Sequence, residues 1–282
     1  MRALRVTRGA WAHAVRIVQE RLEADGVETV GADTPAVPGG QDGDVDAELR
    51  ELGIADRSGG LTAAWAAALG QHLLAPVRAS LRATAGPVAA TTRLSLVDDR
   101  VLLVHDAVRG EPGPRELDVT QLSGHVDVVL VTVDDLWPAL RRLLPPVEQL
   151  TAPPAPGGAS SESTRTVLGR ADAERLRSGE GLAGLPPAAR ALAEDEEASL
   201  VVVVEAWPTP SAPTVVWSRW WSVASGRLLD VQLRDAEVEL VERAPGAVAA
   251  ELRWALVGAI DATSPATSGA DGARDGVRSD DR

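Results

Sequence analysis

The order of elements predicted along this chain occurs twice, and that doubling restricts the fold more than any single motif does. In residues 1–150 helical segments come first, then strands, then a last strand leading into a closing helix. Residues 9–25 carry Trp11, Val15, Val18 and Leu22 at helical spacing, and Gly26 follows as a stop. Residues 46–52 predict a short helix capped by Asp46. Residues 61–81 predict a longer one, with Leu61, Trp65, Leu69, Leu73 and Val77 four apart, kinked or split at Pro76. Strands are expected at 93–97, 100–105 and 126–133. Asp134 or Asp135 then caps a helix through Leu136, Leu140, Leu143 and Leu144, which ends at Pro145 and Pro146. Residues 164–262 repeat the scheme. Helices at 171–177 and 186–195 precede strands at 199–207, 214–223, 227–233 and 236–242. The closing helix, 247–260, aligns Val248, Leu252, Leu256 and Ile260. The expectation is an α+β fold in a pseudo-twofold, duplicated arrangement, with both halves feeding one central, largely antiparallel sheet. The halves are expected to form one compact domain. Residues 151–163 (TAPPAPGGASSES) read as a linker between them, residues 31–46 as a Gly/Pro/Asp loop, and residues 263–282 as a disordered tail.

Composition narrows the function. A chain of 282 residues, 45% hydrophobic, can bury a substantial core. The net charge of −13 repels phosphate backbones, which argues against nucleic acid as a partner. With no Cys there is neither a disulfide framework nor a thiolate metal site, and no cofactor is expected. Phe, Tyr, Lys and Asn are absent too, a pattern of strong GC codon bias as in high-GC actinobacteria. Residues 1–6 lack an apolar signal core, and no apolar run approaches the ~20 residues of a bilayer span, so a cytoplasmic protein without membrane insertion is expected.

No catalytic motif holds up in its sequence context. GEGLAG at 179–184 fits a dinucleotide fingerprint by spacing, but a helix precedes it where a strand is required. SGHVD places Ser123, His125 and Asp127 at alternate positions, without the separate elements and oxyanion hole of a working triad. The histidines His13, His72, His105 and His125 show no metal-binding spacing. EDEE at 194–197 reads as a solvated charge run.

Trp is therefore the only aromatic residue, and TVVWSRWWSV at 214–223 holds three of the eight. On a strand, Val215, Trp217, Arg219, Trp221 and Val223 share one face, and Val216, Ser218, Trp220 and Ser222 the other. A three-residue loop of Ala224, Ser225 and Gly226 pairs Val223 with Arg227 and Trp221 with Leu229, gathering apolar residues on one face. A two-residue loop instead sets Trp221 against Asp230. The three-residue loop is therefore expected, with Trp217 and Trp221 in the core. Trp220 then falls beside Val216 and Leu228 on a half-polar face. These three are the candidate partner-binding residues.

SGRLLDV (225–231), followed by a strand and APGAVAAELRWAL (244–256), together with the earlier VDVVLVTVDDLWPALRRLLPP (126–146), resembles the EspG family, the cytosolic chaperones of actinobacterial type VII secretion. The resemblance spans about residues 61–260 as a pattern of elements and contains no short diagnostic motif. It implies a pseudo-twofold fold whose sheet is flanked by helical bundles. It also implies a non-catalytic role, binding a helical secreted client of the PE–PPE type and keeping it soluble. No family site transfers residue by residue. The alternatives are a self-associating module, such as a homodimer, and a hydrolase built on the Ser123, His125 and Asp127 region.

Overall fold

The computed structural model describes residues 3–29, 44–112, 117–154, 164–209, 212–234 and 237–263. The expected linker lies largely outside them, as do the expected tail beyond Thr263 and nearly all of the 31–46 loop. The first half runs β1 (Ala3–Thr7), α1 (Arg8–Ala24), α2 (Val45–Glu51), α3 (Ala63–Leu74), β2 (Val77–Ala85), β3 (Val88–Val97), β4 (Arg100–Pro112), β5 (Leu117–Leu122), β6 (His125–Thr132), α4 (Leu136–Leu143) and α5 (Glu148–Thr151). The second runs β7 (Arg165–Leu168), α6 (Arg170–Ser178), a 3-10 turn at 182–184, α7 (Pro187–Glu194), β8 (Glu196–Thr209), β9 (Ala212–Ala224), β10 (Arg227–Arg234), β11 (Glu237–Arg243) and α8 (Ala247–Thr263).

The described residues form an α+β fold around one antiparallel sheet of 11 strands, ordered β1-β6-β4-β3-β2-β8-β9-β10-β11-β7, with β5 paired to β4. The halves join where β2 pairs with β8. Three apolar clusters fill the molecule. On the front face, Leu81, Leu94, Leu103, Leu200, Val202, Trp217 and Trp221 pack with α4, α5 and α8. The back face is covered in two places. Trp11, Val15, Leu69 and Leu73 of α1 and α3 lie over Leu102, Val104, Val126 and Val128. Ala173, Ala189 and Leu192 of α6 and α7 lie over Leu229, Val231 and Leu240.

Several local expectations need correction. Residues 77–81 are strand, not helix. Pro76 ends the helical hydrogen bonding, and a spacing of four fits the two-residue period of a strand as well as one helical turn. Val77, Ala79, Leu81 and Ala83 accordingly alternate into the front core. The cap of α2 is Asp44, whose Oδ1 accepts from Ala47 N at 2.9 Å; Asp46 lies inside the helix. β1 and β5, each at most six residues long, gave no alternation long enough to notice.

The acidic run at 194–197 is not merely solvated. Ser222 donates to Glu196 at 2.7 Å, Ser225 to Asp195 at 2.9 Å, and Gly226 N to Glu197 at 2.8 Å. Three acids thus hold the β9–β10 hairpin. The hairpin itself closes through two residues, because Arg227 pairs with Ala224. Ser225 and Gly226 take φ of 49° and 68°, the left-handed pair that a tight right-twisted hairpin requires. Trp221 therefore faces Asp230, the arrangement expected to be avoided.

Candidate functional site: a cleft where two strands part

Asp230 explains the register. It is fully buried, and Arg243 and Gln232 each donate to its Oδ2 at 2.8 Å. Arg219 stands 4.0 Å from Oδ1 and 3.4 Å from Glu251 of α8. The Arg219 guanidinium also lies 5.8 Å from the Trp217 ring centroid. A buried carboxylate is tolerable when opposite charges and donors replace its water. Trp217 and Trp221 are core residues as expected, with ring centroids 5.5 Å apart.

The shifted register separates the three candidate contacts. Leu228 is 1% exposed and belongs to the front core, and Val216 packs against the same cluster. Trp220 points to the back face, half-buried at the margin of the α6–α7 cluster. Its cross-strand neighbours are Val201 and Val231.

β9 and β10 stay paired only as far as Trp220 and Val231. Beyond that point β9 continues along β8, and β10 along β11. The strands part, and a cleft of ≈ 470 Å³ opens at the fork, lined by the apolar Val201, Trp220, Val231 and Leu233 and by the polar or cationic Ser218, Arg219, Gln232 and Arg234. Large apolar side chains stand exposed in and near it. Leu233 is 71% exposed, Val215 57% and Val201 38%. On β2, Arg82 is exposed in line with Val201 and Trp220.

Val201 and Leu233 were not among the contacts expected from the sequence. Leu233 joins the back face only under the two-residue turn, so the register itself was the missing signal.

Ser123, Asp127, His72 and His105 bond to separate partners. Ser123 Oγ donates to the main-chain oxygen of His125 at 2.8 Å, not to its ring. Asp127 pairs with Arg5 at 3.3 Å. His72 Nδ1 lies 2.6 Å from Ser95 Oγ, and burial, aided by Arg78 and Arg93, lowers its pKa to about 3. His105 bonds Thr92 at 2.9 Å. Burial lowers its pKa, opposed by Asp127 and Asp106. Asp106 contacts Arg8, yet burial pushes its carboxyl above the ordinary range. Gly179 ends α6 in the left-handed conformation, so GEGLAG is a helix stop and loop. Among the described residues no group of three or more His, Asp or Glu could hold a metal ion. No helix among them is long and apolar enough to cross a membrane.

No protein-family model matches the sequence, and no curated protein matches it. Among solved structures, the chain is similar to the type VII secretion system chaperone EspG5 of Mycobacterium tuberculosis, determined in complex with a PE25–PPE41 dimer. The match covers 94% of this chain and 98% of that one, with a TM-score of 0.58 and 14% sequence identity. The chain thus shares the fold of that chaperone along nearly its whole length.

Proposed function

We propose that this chain is a non-catalytic cytoplasmic chaperone or adaptor for type VII secretion, which holds a helical client of the PE–PPE kind and keeps it soluble. The observation that carries this reading is the open cleft at Trp220, where exposed apolar and cationic side chains meet, on a fold shared with a chaperone solved with a PE–PPE dimer. An amphipathic helix tip offers the complementary apolar ridge. Trp220 is the anchor, with Val201 and Leu233 beside it, and the arginines Arg219, Arg234 and Arg82 meet acidic groups on the client.

The strand order also supports a duplicated, pseudo-twofold origin. From the β2–β8 junction outward, each half lays down consecutive antiparallel strands, adds its first strand at the far edge, and closes with a helix on the front face. In this reading residues 1–150 and 164–262 are the related halves, and α1–α3 and α6–α7 are the flanking helical bundles.

The test is co-expression with a PE–PPE-type heterodimer encoded beside this gene. The heterodimer is expected to become soluble and to co-purify with the chain, and Leu233→Arg should abolish both effects without unfolding it. A folded chain that neither solubilizes nor retains such heterodimers would overturn the proposal.

A further inference from the structure

A second exposed apolar cluster lies on the front face, on α8. The inward side of this helix carries Val248, Leu252 and Leu256. On its outer side Trp254 is 71% exposed and Val257 51%. Gly258 lies beside them with nothing within 4 Å of the position a Cβ would take, so another helix can approach closely. The helix also borders a groove of ≈ 390 Å³, whose walls include Val133, Trp137, Val257 and Ile260. Two charged residues flank the stripe, Arg253 and Asp261. Both are exposed, and neither has an ion-pair partner among the described residues.

We propose that α8 forms the interface of a homodimer, in which the α8 helices of two copies pack antiparallel about a twofold axis near Val257. A twofold contact uses the same patch twice and must therefore be complementary to itself. This stripe meets that condition in the antiparallel sense. Arg253 precedes Val257 by four residues and Asp261 follows it by four, so each Arg253 lies level with Asp261 of the second copy. For helices packed about 8–10 Å apart, these side chains are within reach of each other. Trp254 comes level with Ile260 of the second copy, at the rim of the groove. A parallel pairing would set Arg253 against Arg253 and Asp261 against Asp261. The chain's net charge of −13 opposes non-specific contact between copies, whereas the stripe's two charges cancel. The exposed side chains of one helix pair reach only the low end of specific interfaces, at most roughly 1,200 Å² in total, so a weak, reversible dimer is expected.

The inference does not depend on the chaperone reading. Sedimentation equilibrium of the full chain across the micromolar range should show a monomer–dimer equilibrium. Trp254→Arg should be monomeric with unchanged thermal unfolding, since the side chain is mostly solvent-exposed. Arg253→Asp and Asp261→Arg should each weaken the dimer about tenfold or more, and the double variant should restore it. A chain monomeric at every concentration would overturn the proposal, as would a dimer that Trp254→Arg leaves intact. A double variant as weak as either single one would rule out the antiparallel pairing. If the chain is monomeric throughout and Trp254→Arg weakens capture of a PE–PPE-type heterodimer, the face belongs to the client and the homodimer is wrong.

Discussion

Trp220 and Trp221 are neighbors in sequence with opposite surroundings. Trp221 is fully buried in the front core, whereas Trp220 sits half-buried at the open fork. Trp221→Ala should cost about 3–5 kcal/mol, the usual range for emptying a buried aromatic site. Trp220→Ala should cost less than half of that, yet weaken client binding by about 2 kcal/mol or more. Urea denaturation of both variants, with a binding titration, separates these effects, and equal destabilization would show Trp220 to be ordinary core. Asp230→Ala should cost about 1–3 kcal/mol, because Arg243 and Gln232 then lose the buried acceptor they share. The Trp pair's burial was legible from strand alternation. The partner of Trp221 was not, because pattern reasoning places a carboxylate in water unless its cations are known. Those cations come from β9 itself and from Arg243 at the end of β11. His72 offers a test by pH. Its folded pKa is lowered to about 3 from 6.5, so below pH 6.5 the unfolded chain takes a proton that the folded chain refuses. Stability should therefore fall as pH drops through that window, with about 2 kcal/mol lost by pH 5 from this group. His72→Gln should remove that component, and denaturation at pH 7 and pH 5 for both chains checks it.

At the scale of elements, the β9–β10 hairpin shows what the sequence conveys and what it hides. Helices with clear stops were legible: Gly26 follows α1 and Pro145 follows α4, close to their expected ends. The strand after Pro76 was hidden by a four-residue spacing that suits both periodicities. The hairpin turn was hidden because Ser225 must adopt a positive φ, which a serine rarely does unless held. Asp195 and Glu197 hold it, reaching Ser225 and Gly226 from the start of β8. The two should therefore act as one unit. Gly226→Ala is expected to cost about 1–2 kcal/mol, since its φ of 68° penalizes any Cβ. Glu197→Ala should add a smaller loss of about 1 kcal/mol by freeing the turn amide. Chemical denaturation measures both, and an unchanged midpoint for Gly226→Ala would contradict the two-residue turn.

Across the whole molecule, the sheet divides its labor by face. The front is closed by α4, α5 and α8, while the back keeps an uncovered strip between the layers of α1–α3 and α6–α7. The α+β class and the sheet fed by both halves were legible because helices and hairpins alternate in the same order twice. The cleft was not, since it exists only where β9 and β10 choose different neighbors beyond Trp220 and Val231, a long-range outcome that local pattern does not encode. In the proposed function this fork receives a helical client. It is tested most directly by calorimetric titration of a PE–PPE-type heterodimer into the native chain, into Leu233→Arg and into Trp254→Arg. Leu233→Arg should lose binding, with thermal unfolding unchanged because this side chain is 71% exposed, and Trp254→Arg on the opposite face should keep native affinity. Native affinity for Leu233→Arg would contradict the proposed function.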